Sequence, residues 1–149
     1  MAVNTAPIFI KQGNFTPARL NASNTASDGS GTIGLSIFTL VTAGIDGTRV
    51  DGVRFINSAS ATSGAPNAKV LRIFLSDTGG TLASNRLIGE VSGLTTAKSN
   101  TAPTATNIYT FDQPIVMKSG QVMYATLSQS AVFSLSLDQT DACAFAGDY

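Results

Sequence analysis

The sequence predicts an all-β chain, an antiparallel β-sandwich of eight or nine strands, with a jelly roll as the leading topology and an immunoglobulin-like sandwich behind it. Three observations carry this. Apolar residues recur with a period of two, and no segment shows the 3.6-residue period of a helix. Clusters of Gly, Ser, Asn and Asp separate the apolar runs. The 149 residues are enough for one domain with one sizeable core, here read as residues 1–149 with a short N-terminal strand or arm.

Taken in order, "PIFIK" begins the series. "TIGLSIFTLVTAG" sets Ile33, Leu35, Ile37 and Val41 on one side and Phe38 and Leu40 on the other, so its end is expected to be covered on two faces. "TRVDGVRFINS" puts Val53 and Phe55 together, with Val50 out of phase by one. A bulge or short turn at Asp51-Gly52 repairs the phase. "KVLRIFLSD" groups Leu71, Ile73 and Leu75 against Val70, Arg72 and Phe74. "RLIGEV" points Leu87 and Val91 inward and Arg86, Ile88 and Glu90 outward, and "SDTGGTLASN" is the turn-rich link before it. "NIYTFDQPIVM" reads as a strand through Phe111 that Pro114 interrupts or confines to an edge. "QVMYATLSQ", "AVFSLSLDQ" and "CAFAG" complete the set. Three long polar loops, 20–31, 57–69 and 95–107, lie between strands.

Charge narrows the function. Only 12% of residues are charged, nine basic and nine acidic, against roughly 25% in an average soluble domain. No Lys/Arg cluster supplies a footprint for nucleic acid or a polybasic membrane patch, and no segment approaches the ~20 apolar residues of a membrane helix. A neutral, sparsely charged surface does little to keep copies apart and suits a protein held in an assembly. The N-terminus shows no export signal, which implies synthesis in the cytosol.

Catalytic and ligand-binding patterns are weak throughout. With no His and one Cys, a Cys/His zinc site and an internal disulfide are both ruled out. Asp28, Asp46, Asp51 and Asp77 sit near glycine turns, but the calcium-loop spacing is absent, so these are plain turns. Asp138 and Asp141 beside Glu90 form the only imaginable acid pair, with no aromatic platform for a saccharide and no spacing that singles them out. No GxSxG elbow occurs, and "SDTGGT" lacks the helix a phosphate cradle needs. Cofactors are therefore expected to be none. Cys143, in an apolar terminal strand, reads as a small buried hydrophobe.

Ile8, Phe9, Ile10, Phe15, Phe145 and Tyr149 lie near the chain ends. Ends this apolar are expected to dock, on their own sandwich or on a neighbouring subunit.

The N-terminal "IFIKQGN", the Ser/Thr/Asn/Ala-rich loops, the run "RVDGVRFINSASATSGAPNAKVLRIFLSD", "RLIGEV" and the ending "FAGDY" resemble small β-sandwich structural proteins of tailed-bacteriophage virions, of the head-decoration or cement type. The resemblance covers most of the chain in style. It implies a non-enzymatic subunit present in many copies, often as a homotrimer. Such a subunit binds and stabilises the capsid lattice through the major capsid protein or another virion protein. Its location would be the capsid surface, after a period in the host cytoplasm during assembly. The alternative from another class is a receptor- or glycan-binding module of a phage tail fibre or spike, in which the polar loops gather at one end of the sandwich.

Overall fold

The strands pair as the nested layers of one long hairpin. The computed structural model describes residues 10–58, 66–77, 85–96, 101, 104, 106–129, 133–134 and 138–149. Among them are nine strands: β1 (Gln12–Gly13), β2 (Ala18–Leu20), β3 (Phe38–Thr42), β4 (Thr48–Asn57), β5 (Val70–Ser76), β6 (Asn85–Ser92), β7 (Thr106–Met117), β8 (Val122–Ser128) and β9 (Thr140–Asp148). β5 pairs with β6, β4 with β7, β3 with β8 and β2 with β9, all antiparallel. Rolling that hairpin brings β9 beside β4 and β8 beside β5. One sheet then runs β1-β9-β4-β7, with β2 also on β9, and the other runs β3-β8-β5-β6. This is the strand order of a jelly roll, as the sequence predicts.

The inner faces meet in a core to which Leu40, Val53, Phe55, Ile73, Met123 and Leu127 contribute fully buried side chains. Burial of each such side chain stabilises by about 1.5–3 kcal/mol relative to leaving it in water. In β4 the alternation holds, with Val50, Val53 and Phe55 in and Arg49, Asp51 and Arg54 out. The expected bulge lies between Val50 and Gly52 in both of its pairings. β7 is an edge strand, as Pro114 requires, yet it continues past the proline to Met117. Residues 111–114 bow out opposite Asp51 instead of ending the strand.

Several expectations give way. "TIGLSIF" is not strand before Phe38: Gly34 at φ 81° and the N–H groups of Ser36 and Ile37 donating to Thr32 O close a turn there. Ile33 and Leu35 are consequently exposed. In β6 the inward and outward assignments of Leu87 and Ile88 are reversed, because the register shifts between Ile73 and Phe74; Leu87 is exposed and Ile88 packs on the core. "AVFSLSLDQ" contains no strand among its described residues. Phe133 packs on the core and Asp138 begins the approach to β9, while residues 135–137 lie outside the description. Of "PIFIK", residues 7–9 also lie outside it.

The connections after β2, β4, β6 and β8 leave from one end of the sandwich, since Leu20 and Asn57 both pair with Thr140, and Val70 with both Ser92 and Ser128. The three long polar loops all start there. The first does not project: residues 21–37 fold back along the outer face of β3-β8-β5-β6. Asn24 stitches this segment, its N–H donating to Leu127 O and its Nδ2 to Ser30 O and Ser36 O, and Asn85 Nδ2 donates to Gly29 O. Under it Ile37, Phe74, Val122 and Tyr124 form a second buried cluster. The two-faced coverage expected of "FTLVT" is not what is found: the register shift between Thr39 and Val41 turns Phe38, Leu40 and Val41 all into the main core, and only Ile37, before the strand, joins the outer cluster.

Candidate functional site

The outer face of the other sheet has a different character. Its exposed apolar residues are Ile108 and Val116 on β7, Phe145 on β9, and Ile10 and Phe15 from the segment that runs onto the β9 edge; Phe15 is 54% exposed, Phe145 40% and Val116 63%. Their direction follows from the pleat. Ala142, Ala144 and Ala146 point into the core, so Cys143 and Phe145 point away from it. Across the sheet, Ile108, Arg54 and Cys143 stand in one row, and Val116 and Arg49 in another.

The N-terminal segment is fastened to this sheet by backbone and by one carboxylate. Lys11 N–H donates to Asp148 O (2.7 Å) and Asn14 N–H to Ala146 O (3.1 Å). Asn14 Nδ2 donates to Asp148 Oδ1 (2.6 Å) and to Thr42 O (2.8 Å), and the Thr48 hydroxyl donates to the same Asp148 oxygen. Burial alone pushes the Asp148 carboxyl up, but the donors from Thr48, Asn14 and Gly44 N–H outweigh it and hold the group below the ordinary 3.8. The clasp brings Ile10 onto Gly147, where no side chain would fit beneath it. Ile10 and Phe15 thus wall a shallow groove of about 470 Å³ whose remaining lining is Asp51, Arg54 and residues 143–146.

Of the predicted site residues, Ile10, Phe15 and Phe145 come together in this groove. Tyr149 does not join them; its N–H donates to Gly47 O and its half-buried ring sits at the β3–β4 turn. Ile8 and Phe9 lie outside the described residues. The sequence reading missed Arg54, Asp51, Ile108 and Val116. The signal for Ile108 was present, since in "NIYTF" the partners of the inward Tyr109 and Phe111 must face out. Cys143 is half-buried and lines the groove, so it is not the core hydrophobe expected.

The acidic residues singled out in the sequence are held by structural partners. Asp138 is fully buried and accepts from Asn67 N–H (2.8 Å), Asn67 Nδ2 (2.8 Å), Ser134 N–H (2.9 Å) and Gln129 Nε2 (3.2 Å). Burial pushes its carboxyl up, and those donors prevail and hold it below 3.8. Lys69 donates to Asp138 O (2.8 Å), and burial lowers its amine against the pull of the Asp138 charge. Together they tie the β4–β5 and β8–β9 connections. Asp141 pairs with Arg19 and Glu90 with Arg72, so Asp138, Asp141 and Glu90 each face different partners. Asp28 accepts from Ser30 N–H in a turn, while Asp46 pairs with Lys11, Asp51 with Arg49, and Asp77 accepts from Gln121. Among the described residues no three His, Cys, Asp or Glu groups gather as metal ligands.

The groove and the apolar rows beside it can bury a complementary protein surface on a rigid sheet. No family model, no curated protein and no solved structure matches the chain.

Proposed function

We propose that the chain is a non-enzymatic virion structural protein of a tailed bacteriophage, a capsid decoration subunit that binds the major capsid protein or another virion protein and stabilises the lattice. The observation that carries this reading is the open apolar face of the β1-β9-β4-β7 sheet, walled by the fastened N-terminal segment. Large exposed apolar side chains gathered on one folded face are a mark of protein contacts. Preferential binding to the assembled shell stabilises it by mass action. The resemblance implies a position on the capsid surface, after assembly in the host cytoplasm, and groups of three. The test is to add the protein to capsids that lack it. Bound protein and a raised shell melting temperature support the reading; no binding and unchanged melting overturn it.

A receptor- or glycan-binding module of a tail fibre or spike is the second reading, favoured by the shared end from which the β4–β5, β6–β7 and β8–β9 connections leave. It predicts glycan-array hits that vanish when residues 57–69 are replaced by a short turn.

A further inference from the structure

Strand edges, unlike faces, specify what they bind. An edge presents a row of N–H and C=O groups at strand spacing, and only another strand satisfies the whole row. The chain guards most of its own edges. Beside β9 lie β1 and β2, only two and three residues long. At β3, Thr16 N–H donates to Leu40 O and Asn14 Nδ2 to Thr42 O. β6 carries Arg86 and Glu90, and Asn107 Nδ2 donates to Ser92 O. On β7, residues 111–114 bow away from β4, with Asp112 and Pro114 in the bow. The earlier part of β7, "TNIYT" from Thr106 to Thr110, has no such guard: it holds no charge, no proline and no bulge, and its Thr, Ile and Tyr favour strands. Among the described residues its sole strand neighbour is β4.

A second copy of the chain brings one unguarded edge among its described residues, and it is the same one. Two such edges pair antiparallel about a two-fold axis normal to the sheet, an isologous contact that closes on itself. An axis at Ile108 sets Ile108 of one copy against Ile108 of the other, with Thr106 against Thr110 on either side. These are the three outward residues of the segment, all exposed, and like β-branched side chains make favourable cross-strand pairs. Axes at Tyr109 or Thr110 instead draw Asp112 into the ladder, against Thr106 or Ile108, so Ile108 is the register that keeps charge out. The nearest base on this face is Arg54, beside Ile108 on β4. Two Arg54 side chains then stand three strand spacings apart, roughly 14 Å, which is beyond the screening length of about 8–10 Å. We infer that Thr106–Thr110 of β7 is the pairing edge of a two-fold dimer, in which the β7 strands of two copies join antiparallel at Ile108 and make one continuous sheet. The inference does not rest on the decoration reading. It leaves the groove beside Phe145, two strands from the seam, free to reach a lattice.

Charges placed on the axis test it. Sedimentation equilibrium of the full chain should give a monomer–dimer equilibrium. Ile108→Lys and Ile108→Glu should each weaken dimerisation by about tenfold or more, because each sets like charges directly opposite one another. An equimolar mixture of the two variants should associate about tenfold more tightly than either alone, since opposite charges then face each other across the seam. Only a register that brings Ile108 against Ile108 gives this rescue. Ile108 is 54% exposed, so both variants should melt close to the wild-type monomer. Phe145→Ser, on the same face but away from the seam, should leave dimerisation within about threefold of the wild type. A wild-type chain that stays monomeric or forms only trimers, a mixture no better than the single variants, or a dimer lost in Phe145→Ser overturns the inference. Capsid binding by the same proteins is read separately. Binding by a chain that does not dimerise rejects the edge pairing and spares the decoration reading; dimerisation without capsid binding does the reverse.

Discussion

The outer faces of the two sheets both carry large apolar side chains, and they meet different fates. On β3-β8-β5-β6, Phe74, Val122 and Tyr124 are buried because residues 21–37 fold over them and add Ile37 to their cluster, held by Asn24 and Asn85. On β1-β9-β4-β7, Phe15, Ile108, Val116 and Phe145 stay exposed. The covering segment shows how this chain protects a sheet face from water with its own residues. Where that is not done, the exposed apolar area is available for association, and its burial contributes on the order of 25 cal/mol per Å² before association costs are subtracted.

The largest expected effect breaks the covered side. Phe74→Ala should lower unfolding free energy by about 3–5 kcal/mol, because the ring is almost wholly buried and its removal leaves a cavity beneath the covering segment. Denaturant titration measures it, and self-association at concentrations where the variant is folded should be unchanged.

A smaller effect comes from the cover itself. Gly29 has φ 75°, and a Cβ there would lie 2.9 Å from the Phe74 ring. Gly29→Ala should therefore cost about 1–3 kcal/mol, through both the left-handed backbone and the displaced ring. A neutral result in the same titration would mean that the segment is not seated on Phe74.

The third prediction concerns acid. Asp138 and Asp148 both have folded-state carboxyls held below the ordinary 3.8. A carboxyl that binds its proton less readily when folded stabilises the fold above the unfolded value. That stability is lost as pH falls through the folded one. Thermal melts should thus drop steeply as pH is lowered below about 4, and the drop should be shallower in Asp148→Asn, which also loosens the Asn14 clasp behind the groove. An identical pH profile in that variant would remove Asp148 from the account.

The jelly roll was legible because period-two alternation and turn clusters are local signals, and local signals survive in β4, β5, β8 and β9. Even the Asp51-Gly52 bulge could be read, from Val50 falling out of phase with Val53. The failures have separate causes. At Leu87 and Ile88 a bulge in the pairing of β5 with β6 reverses the faces, and no residue near "RLIGEV" announces it. At Ile33 and Leu35 alternation is present, but Gly34 and the Thr32 carbonyl close a turn instead. For the interaction face, the terminal apolar residues were visible as a group, and Ile10, Phe15 and Phe145 do converge. Arg54 and Asp51 became part of it only through the β4–β9 register, which no single segment encodes.

The smallest effect on stability should come from the open side, and it leads to the measurement that bears most directly on its role as a docking surface. Phe145→Ser should lower unfolding free energy by only about 1 kcal/mol under conditions where the chain is monomeric, since the ring is 40% exposed and its burial is partial. Cys143 is the sole thiol of the chain and lines the groove beside Phe145. Its alkylation rate by a maleimide, followed as protein concentration is raised from the micromolar to the near-millimolar range, reports whether this face becomes covered. The account predicts that the wild-type rate falls with concentration while the Phe145→Ser rate stays flat. A wild-type rate constant across the whole range would contradict it.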